Sequence, residues 1–239
     1  MVSRLVGGVY DRSRRPSPLE ARGVRFMVMD GEKPGNEQMS LRERKKRLTY
    51  QAVSEAAIAM FLERGFDKVS VAEVAAAADI SKPTLFRYFP AKEDLVLHRF
   101  ADHEDEAARV VAARADTESP LDALRRNFLD GLERGDPVTG LCDVPQVLAY
   151  QRLLYGTPSL VARLYAYQSR SEAALARELG GRVEDRLAAG QIIAVQRILA
   201  LENWRRIDAG ESAEQVYADA VASAELAFVQ LRTGLGAQR

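Results

Sequence analysis

Four side chains able to bind phosphate oxygens or the edges of nucleic-acid bases lie close together, at Lys82, Thr84, Arg87 and Tyr88. Ser81 precedes them as a candidate N-cap, and Pro83 suits the first turn of a helix because its missing N–H breaks no intrahelical bond. Leu85 and Phe89 are four residues apart and share an inner face. The spacing therefore predicts a very short helix whose exposed start and rim suit an anionic partner.

A second short helix is predicted immediately before this one. Ser70 and Glu73 form a capping box, and Val71, Val74 and Ala75 follow at helical spacing. The pattern breaks at 79–80, so residues 70–93 are predicted to form a helix-turn-helix, which is of a size to enter a DNA major groove.

A longer amphipathic helix is predicted from Leu41 to the stop signal at Gly65. Five of its first seven residues are basic, including Arg44, Lys45 and Lys46. A charge run of this kind is often only a solvated face, but next to a helix-turn-helix it favours a clamp on the phosphate backbone.

Composition points to a globular protein without a membrane span. The chain has 239 residues, of which 47% are hydrophobic and 28% charged. No apolar run approaches the roughly 18 residues of a transmembrane helix, and no export signal is visible at the N-terminus. One cysteine, Cys142, excludes an internal disulfide and fits a reducing cytoplasm, so a cytoplasmic location is predicted.

The zero net charge hides an asymmetry between the two halves of the chain. Residues 1–100 contain 18 Lys and Arg against 13 Asp and Glu, whereas residues 101–239 contain 16 against 21. The N-terminal half therefore suits a polyanion better than the C-terminal half does. Residues 1–39 mix Gly, Pro, Ser and Arg without a period and are predicted to be a disordered extension; the alternative is an arginine-bearing arm that contacts DNA.

The region from Arg44 to Leu95 resembles the DNA-binding domain of TetR-type (TetR/AcrR) transcriptional regulators. The resemblance rests on Ala56, Phe61, Gly65-Phe66, Ser70-Val71, Val74-Ala75, Ala78-Asp79-Ile80-Ser81, Thr84-Leu85-Phe86, Tyr88-Phe89 and Lys92-Glu93. It implies an all-α protein of about nine helices, with a three-helix DNA-binding domain at 40–91 and a helical ligand-sensing and dimerisation domain at 92–239. It also implies a homodimeric repressor that leaves a palindromic operator in double-stranded DNA when a small effector binds.

The same resemblance implies roles for individual residues. Lys82, Pro83 and Thr84 would begin the recognition helix, and Tyr88 would contact phosphate. Lys92 would contact the DNA backbone from the start of the fourth helix, which is predicted from about Lys92 to Ala115. Ser70 would cap its helix and also touch phosphate. Ala91 departs from the family pattern of Ser, Asn or Asp before Lys-Glu, and it forgoes a cap worth on the order of 1 kcal/mol. We therefore predict a softer joint between the two domains, with Asp94 offsetting part of the loss through the helix dipole.

The C-terminal region is predicted to hold a cavity for a small, mainly apolar ligand. Four of the eight tyrosines fall between residues 150 and 167, where rings with a hydroxyl group suit either a pocket or an ordinary core. The candidate pocket residues are Phe100, Phe128, Tyr150, Leu153 and Tyr167.

Two final helices, near 183–207 and 213–233, carry apolar residues around much of their circumference, more than one protomer's core requires. In the resembled family these helices form a four-helix dimer interface, for which the candidates here are Ile198, Trp204, Tyr217, Val221, Ala224 and Phe228. The alternative is a single large core.

Other functions have weaker support. His98 with Asp102, and His103 with Glu106, have the spacing of metal ligands, but hydrogen-bonded surface histidines explain both pairs, so neither a metal nor another cofactor is predicted. Cys142 is interpreted as an incidental thiol rather than a redox sensor. An all-helical enzyme is disfavoured because no nucleophile, base and phosphate-loop combination is found, and no catalytic residue is proposed. An architectural DNA-binding protein without a ligand stays open.

Overall fold

The computed structural model describes residues 41–101 and 103–234, with side chains described at 48–98, 100 and 103–234. Ten α-helices run through these residues, and no strand occurs among them. In chain order they are α1 (Leu41–Arg64), α2 (Val71–Ala77), α3 (Lys82–Tyr88), α4 (Asp94–Ala101), α5 (Glu106–Ala112), α6 (Pro120–Glu133), α7 (Pro145–Gly156), α8 (Pro158–Leu179), α9 (Val183–Asp208) and α10 (Ala213–Thr233). The predicted all-α class is confirmed, while the predicted extension at 1–39 lies outside the described residues.

One hydrophobic core joins the three N-terminal helices to the helices that follow them. It contains Phe61 from α1, Leu85 from α3 and Leu95 from α4, together with Leu154 from α7 and Leu164 from α8. The DNA-binding helices are therefore packed directly on the start of the C-terminal region. The domain boundary predicted at 91–92 falls inside a continuous core rather than at an exposed linker.

A second core lies between α5, α6 and the last three helices. Leu132 of α6 and Leu175 of α8 are completely buried, as is Val216 of α10. Helix α9 packs along both α8 and α10, and α10 also packs on α6. Within the described part of the chain, no helix combines the length and apolar character needed to cross a membrane.

The helix predicted from Lys92 to Ala115 is two helices in the structure, which brings the number from about nine to ten. Between α4 and α5 the Glu106 amide bonds to the carbonyl of His103 at 3.2 Å, and the His103 amide bonds to Phe100 at 3.0 Å. These bonds span three residues, so the four-residue spacing of α-helix bonding is interrupted. The His103 imidazole and the Glu106 carboxylate meet across this turn at 2.5 Å.

A tight loop between α6 and α7 lies directly against α9. It contains a 3-10 turn over Pro137–Thr139, followed by Gly140 with a left-handed φ of 75°. A Cβ at Gly140 would lie 1.9 Å from the carbonyl oxygen of Ala200, so only glycine fits. The buried Asn203 amide donates to the Thr139 carbonyl at 2.9 Å. Backbone contact and this hydrogen bond together fix the loop on α9.

Candidate nucleic-acid interface and ligand cavity

The capping box predicted at the start of α2 is present and is tied to α1. The Glu73 amide donates to Ser70 Oγ at 3.2 Å, and the Ser70 amide donates to the Glu73 carboxylate at 2.8 Å. Arg64 donates to the same carboxylate at 2.6 Å. The Ser70 amide, the Arg64 guanidinium and the Ser70 hydroxyl together lower the pKa of Glu73 from 4.5 to about 2. The local sequence thus fixes both the start of α2 and its position beside α1.

The turn between α2 and α3 follows from local sequence as well. Asp79 adopts a left-handed φ of 51°, which aspartate tolerates better than most residues. Ser81 then caps α3 by accepting the Thr84 amide at 3.2 Å, and the Ser81 and Thr84 hydroxyls lie 2.8 Å apart. Pro83 occupies the first turn of α3, as predicted. This seven-residue helix begins with an exposed, positively charged end.

The predicted DNA-contacting residues of α3 are arranged around a buried inner face. Lys82, Pro83 and Arg87 are exposed, whereas Leu85 is completely buried. The Lys82 ammonium lies 5.9 Å from the Phe86 ring centroid, and the Arg87 guanidinium lies 5.3 Å from that of Tyr88. The outer face of α3 thus offers two cations supported by aromatic rings.

Tyr88 is half-buried because its ring packs on Tyr50 of α1, with centroids 4.7 Å apart. This contact positions the tyrosine at the edge of α3. The backbone of Arg44, Lys45 and Lys46 belongs to α1, but their side chains lie outside the described ones, so their predicted phosphate contacts stay a prediction.

Lys92 is placed differently from the expectation. It precedes α4 instead of starting it, and its ammonium donates to the Phe66 carbonyl at 2.5 Å. The same ammonium lies 4.3 Å from the centroid of the Phe66 ring. These contacts hold Lys92 against the end of α1, so a phosphate contact requires the side chain to give up or share an internal hydrogen bond.

The joint between α4 and α8 contains an ion pair between a buried carboxylate and a half-exposed arginine, which the sequence pattern did not reveal. Asp94 is only 5% exposed, and Arg163 of α8 donates to its two carboxylate oxygens at 2.8 and 2.9 Å. The Ala91 amide donates to the same carboxylate at 3.0 Å. Asp94 therefore supplies the half of a capping box that satisfies the Ala91 amide, whereas the half that a Ser, Asn or Asp side chain at position 91 would supply is missing.

A cavity of about 180 Å³ lies between α5, α6, α8 and α9. Its lining is partly apolar, with Phe100, Ala107, Leu124, Phe128, Val138, Leu164, Ile193 and Ala200. Its polar lining includes His103, Glu106, Asn127, Arg134, Asp136, Thr139, Tyr155, Tyr167, Gln168, Ser171, Gln196 and Arg197. The cavity therefore combines an apolar surface with polar groups that can orient a ligand.

Three of the five candidate pocket residues line this cavity: Phe100, Phe128 and Tyr167. The structure places Tyr150 and Leu153 in the neighbouring core instead. The Tyr150 hydroxyl donates to the carbonyl of Val96 in α4 at 2.9 Å, so this ring joins α7 to α4. Tyr155, one turn further along α7, lines the cavity in its place. The number of tyrosines in this segment does not indicate which of them faces the cavity.

The histidines and the cysteine have structural surroundings. His98 stacks on Tyr50 with centroids 5.2 Å apart, and His103 pairs with Glu106. No group of three potential metal-binding side chains occurs among the described residues. Cys142 is buried, and burial raises the pKa of its thiol. The two histidines therefore contribute to ring packing and to a turn, and the thiol is buried.

Helices α9 and α10 present large apolar side chains to solvent. Leu226 is 60% exposed and Val229 53%, while Ile198 on α9 is 55% exposed and Leu187 61%. Tyr217, near the start of α10, is also exposed. Such a concentration on two adjacent helices is more than scattered surface residues produce.

The side chains of the other dimer candidates are buried within the protomer to different extents. Ala224 and Phe228 are buried in the second core, where Phe228 lies against Phe128, so they offer no side-chain surface to a partner. Val221 is partly buried against the same core. Trp204 is half-buried and packs on Tyr155 with ring centroids 4.4 Å apart. The apolar stripe of α10 is wide enough that its inner part serves the core and its outer part remains exposed.

Comparison with known proteins agrees with this architecture. Residues 54–98 match the family described as bacterial regulatory proteins, tetR family. The chain is 28% identical over 178 residues to the HTH-type transcriptional regulator TcmR of Streptomyces glaucescens, covering 70% of this chain and 78% of that protein. It is 32% identical over 103 residues to the HTH-type transcriptional repressor LfrR of Mycolicibacterium smegmatis, covering 42% and 53% respectively.

A solved structure of NalD, the secondary repressor of the MexAB-OprM multidrug efflux pump in Pseudomonas aeruginosa, shares the fold. Its TM-score is 0.51 at 16% identity, with 76% of this chain and 97% of NalD covered. The helix-turn-helix and the helical domain behind it define a DNA-binding transcriptional regulator. The match of residues 54–98 to the tetR family and the similarity to TcmR confirm the resemblance of residues 44–95 to TetR-type regulators.

Proposed function

We propose that the protein is a homodimeric repressor that binds a palindromic operator and leaves it when a small effector occupies the cavity between α5, α6, α8 and α9. One observation carries this proposal. Helix α8 supplies both Arg163, which holds Asp94 at the start of α4, and Leu164 and Tyr167, which line the cavity. A ligand that shifts α8 therefore acts directly on the helix that supports the DNA-binding unit.

Operator binding is assigned to the exposed end of α3. Lys82, Thr84 and Arg87 would reach base edges or phosphates, while Tyr88 and Ser70 would position the protein on the backbone. Arg44, Lys45 and Lys46 would add sequence-independent attraction at the start of α1. Lys92 would contribute only after exchanging its contact with the Phe66 carbonyl.

Dimerisation is assigned to the outer faces of α9 and α10. Leu187, Ile198, Leu226 and Val229 would be covered by the same residues of a second protomer, as a two-fold interface requires. Two recognition helices would then read half-sites about 34–36 Å apart or a multiple of that distance. The proposal includes a cytoplasmic location, where operator DNA is accessible.

The coupling proposed here is a shift between two arrangements of α4 relative to α8. An effector that binds the second arrangement better by about 1–3 kcal/mol would lower operator affinity by about 5- to 150-fold. The ion pair of Asp94 with Arg163 would keep the start of α4 attached to α8 in both arrangements. The Tyr150 hydroxyl, bound to Val96, would add a second attachment from α7.

Selection from a library of random double-stranded DNA tests the DNA-binding part of this proposal. We expect enrichment of a palindrome, and tight binding to it with much weaker binding to scrambled DNA of the same composition. The Lys82→Ala variant is the matched negative control, because Lys82 is exposed and its loss removes no core contact. Salt-dependent binding without any enriched sequence would instead favour the architectural alternative.

A further inference from the structure

The end of the cavity formed by α5, α6 and the following loop contains two carboxylates. Glu106 pairs with the His103 imidazole at 2.5 Å. Burial raises the pKa of Glu106, but the hydrogen bond and charge of His103 outweigh burial, so the net pKa is below its ordinary value. Glu106 is therefore a charged group in the wall of the cavity.

Asp136 lines the same end of the cavity and is less well compensated. One of its oxygens accepts the Val138 amide at 3.0 Å, and among the described residues it forms no ion pair. Burial is the main cause that raises its pKa, and the charge of Glu106 raises it further, while His103 and Arg134 lower it only in part. A carboxyl group in this position gains from a cation that enters the cavity.

The cations that face the cavity are placed less favourably for an anionic ligand. Arg134 is exposed at the end of α6. The Arg197 guanidinium lies 5.4 Å from the ring centroid of Tyr165, an exposed side chain outside the cavity. Both arginines thus have solvent or an aromatic ring beside them, whereas Asp136 is half-buried and has no ion-pair partner among the residues that the structure describes.

The remaining walls suit a compact, ring-containing body. Phe100, Phe128, Tyr155 and Tyr167 contribute aromatic surface. The volume of about 180 Å³ lies below the range of about 300–1,000 Å³ that is typical of drug-sized ligands. A small amine with one or two rings fits this combination better than a long or highly polar molecule.

We propose that the cavity binds a compact aromatic cation whose protonated amine lies between Asp136 and Glu106 and whose ring packs on Phe100 and Phe128. The inference rests on the proposed function only in taking this cavity as the effector site. It adds a defined charge to the mainly apolar ligand expected from sequence.

Calorimetric titration with three ring-matched probes at neutral pH tests the charge. The probes are 1-naphthylmethylamine, 1-naphthylmethanol and 1-naphthoate, which are cationic, neutral and anionic. We expect the amine to bind about tenfold or more tightly than the alcohol, since a charged hydrogen bond is roughly twice as strong as a neutral one. Tightest binding of the naphthoate, or no binding of any probe up to about 1 mM, would overturn the proposal.

Two variants identify the groups responsible. Asp136→Asn removes the charge but keeps the oxygen that accepts the Val138 amide, and should weaken amine binding about tenfold while changing alcohol binding less than about twofold. Asp116→Asn, in the exposed loop before α6, is the matched control and should leave both affinities unchanged. If thermal melting shows that Asp136→Asn does not fold, Glu106→Gln takes its place with Glu133→Gln, on the exposed face of α6, as control. Retention of the full amine preference in the folded variant would disprove the assignment.

Failure of this inference and failure of the proposed function have different signatures. Operator selection and dimerisation are measured without any probe, so a lost palindrome would refute the repressor proposal whatever the titrations show. If the palindrome is selected and the naphthoate binds most tightly, only the charge of the ligand is wrong.

Discussion

Arg163 of α8 donates two hydrogen bonds, of 2.8 and 2.9 Å, to the carboxylate of Asp94 at the start of α4, although the two residues are 69 positions apart in sequence. The same carboxylate accepts the Ala91 amide. One side chain thus ends the DNA-binding segment, begins α4 and attaches both to the helix that lines the cavity. The softer joint predicted at Ala91 stays a prediction, and these contacts of Asp94 are interactions that stabilise the joint.

Removal of the arginine should destabilise this joint. We expect Arg163→Ala to lower the free energy of unfolding by about 2 kcal/mol, because the buried Asp94 loses its charged donor and half-exposed Arg163 leaves no large cavity. Urea unfolding followed by circular dichroism measures the loss. Arg152→Ala, which breaks a more exposed ion pair with Asp208, should cost less than about 1 kcal/mol. Equal losses for the two variants would mean that the Asp94 pair is no more than a surface contact.

The two groups of basic residues should differ in how they affect DNA binding. Lys82→Ala or Arg87→Ala should weaken binding to the selected operator by about tenfold and reduce its preference over random DNA. Lys46→Ala should weaken operator and random DNA alike and reduce the steepness of the salt dependence by about one counter-ion. Fluorescence anisotropy at several salt concentrations separates these outcomes. An unchanged operator preference in Lys82→Ala would place sequence recognition elsewhere.

The exposed apolar face should be needed for dimerisation and not for folding. Leu226→Asp places a charge at a position that is 60% exposed in the protomer. We expect the monomer to remain folded and the dimer to dissociate, because a second copy would bury that charge without a partner. Sedimentation velocity measures the mass. Leu62→Asp, on an exposed part of α1, is the control that should keep the dimer. A monomeric wild type would contradict the assignment of this face.

The Glu73 carboxylate in the capping box should stabilise the folded protein in a way that depends on pH. The pKa of Glu73 is lowered from 4.5 to about 2, so its contribution is present above about 4.5 and is lost as the pH falls toward about 2. Wild type should melt at a higher temperature than Glu73→Gln near neutral pH, and the difference should shrink across this interval. The exposed Glu63→Gln variant serves as control. A difference that stays constant down to pH of about 2 would rule out the ionised carboxylate as its source.

The parts of the structure that follow from nearby residues could be predicted from the sequence, whereas contacts between distant residues could not. Ser70 with Glu73, and Ser81 with Pro83, fix helix starts within one turn, and each is found as predicted. The pairing of Asp94 with Arg163 depends on how α4 and α8 are packed, which no local pattern encodes. The sequence also does not show which side of the apolar stripe on α10 faces inward, so it could not separate Ala224 and Phe228, which are buried in the protomer, from the exposed residues of the stripe.

The divided fourth helix has a similar explanation. The segment between Phe100 and Glu106 carries no proline or glycine to signal a break. Its interruption depends on three-residue hydrogen bonds and on the pairing of His103 with Glu106, both of which place Glu106 in the cavity wall. The same spacing that could suggest a metal site therefore contributes to a turn.

The contact of Gly140 with the carbonyl of Ala200 also determines how this protein could be engineered as a biosensor. The loop that carries Asp136 and Val138 is fixed on α9. Substitutions at Gly140 would displace these two lining residues and would destabilise the protein. A library designed to change effector preference should keep 139–141 constant. The varied positions should instead lie on α5 and α6, for example at Ala107 and Asn127, where new side chains can alter the cavity without moving the loop that packs on α9.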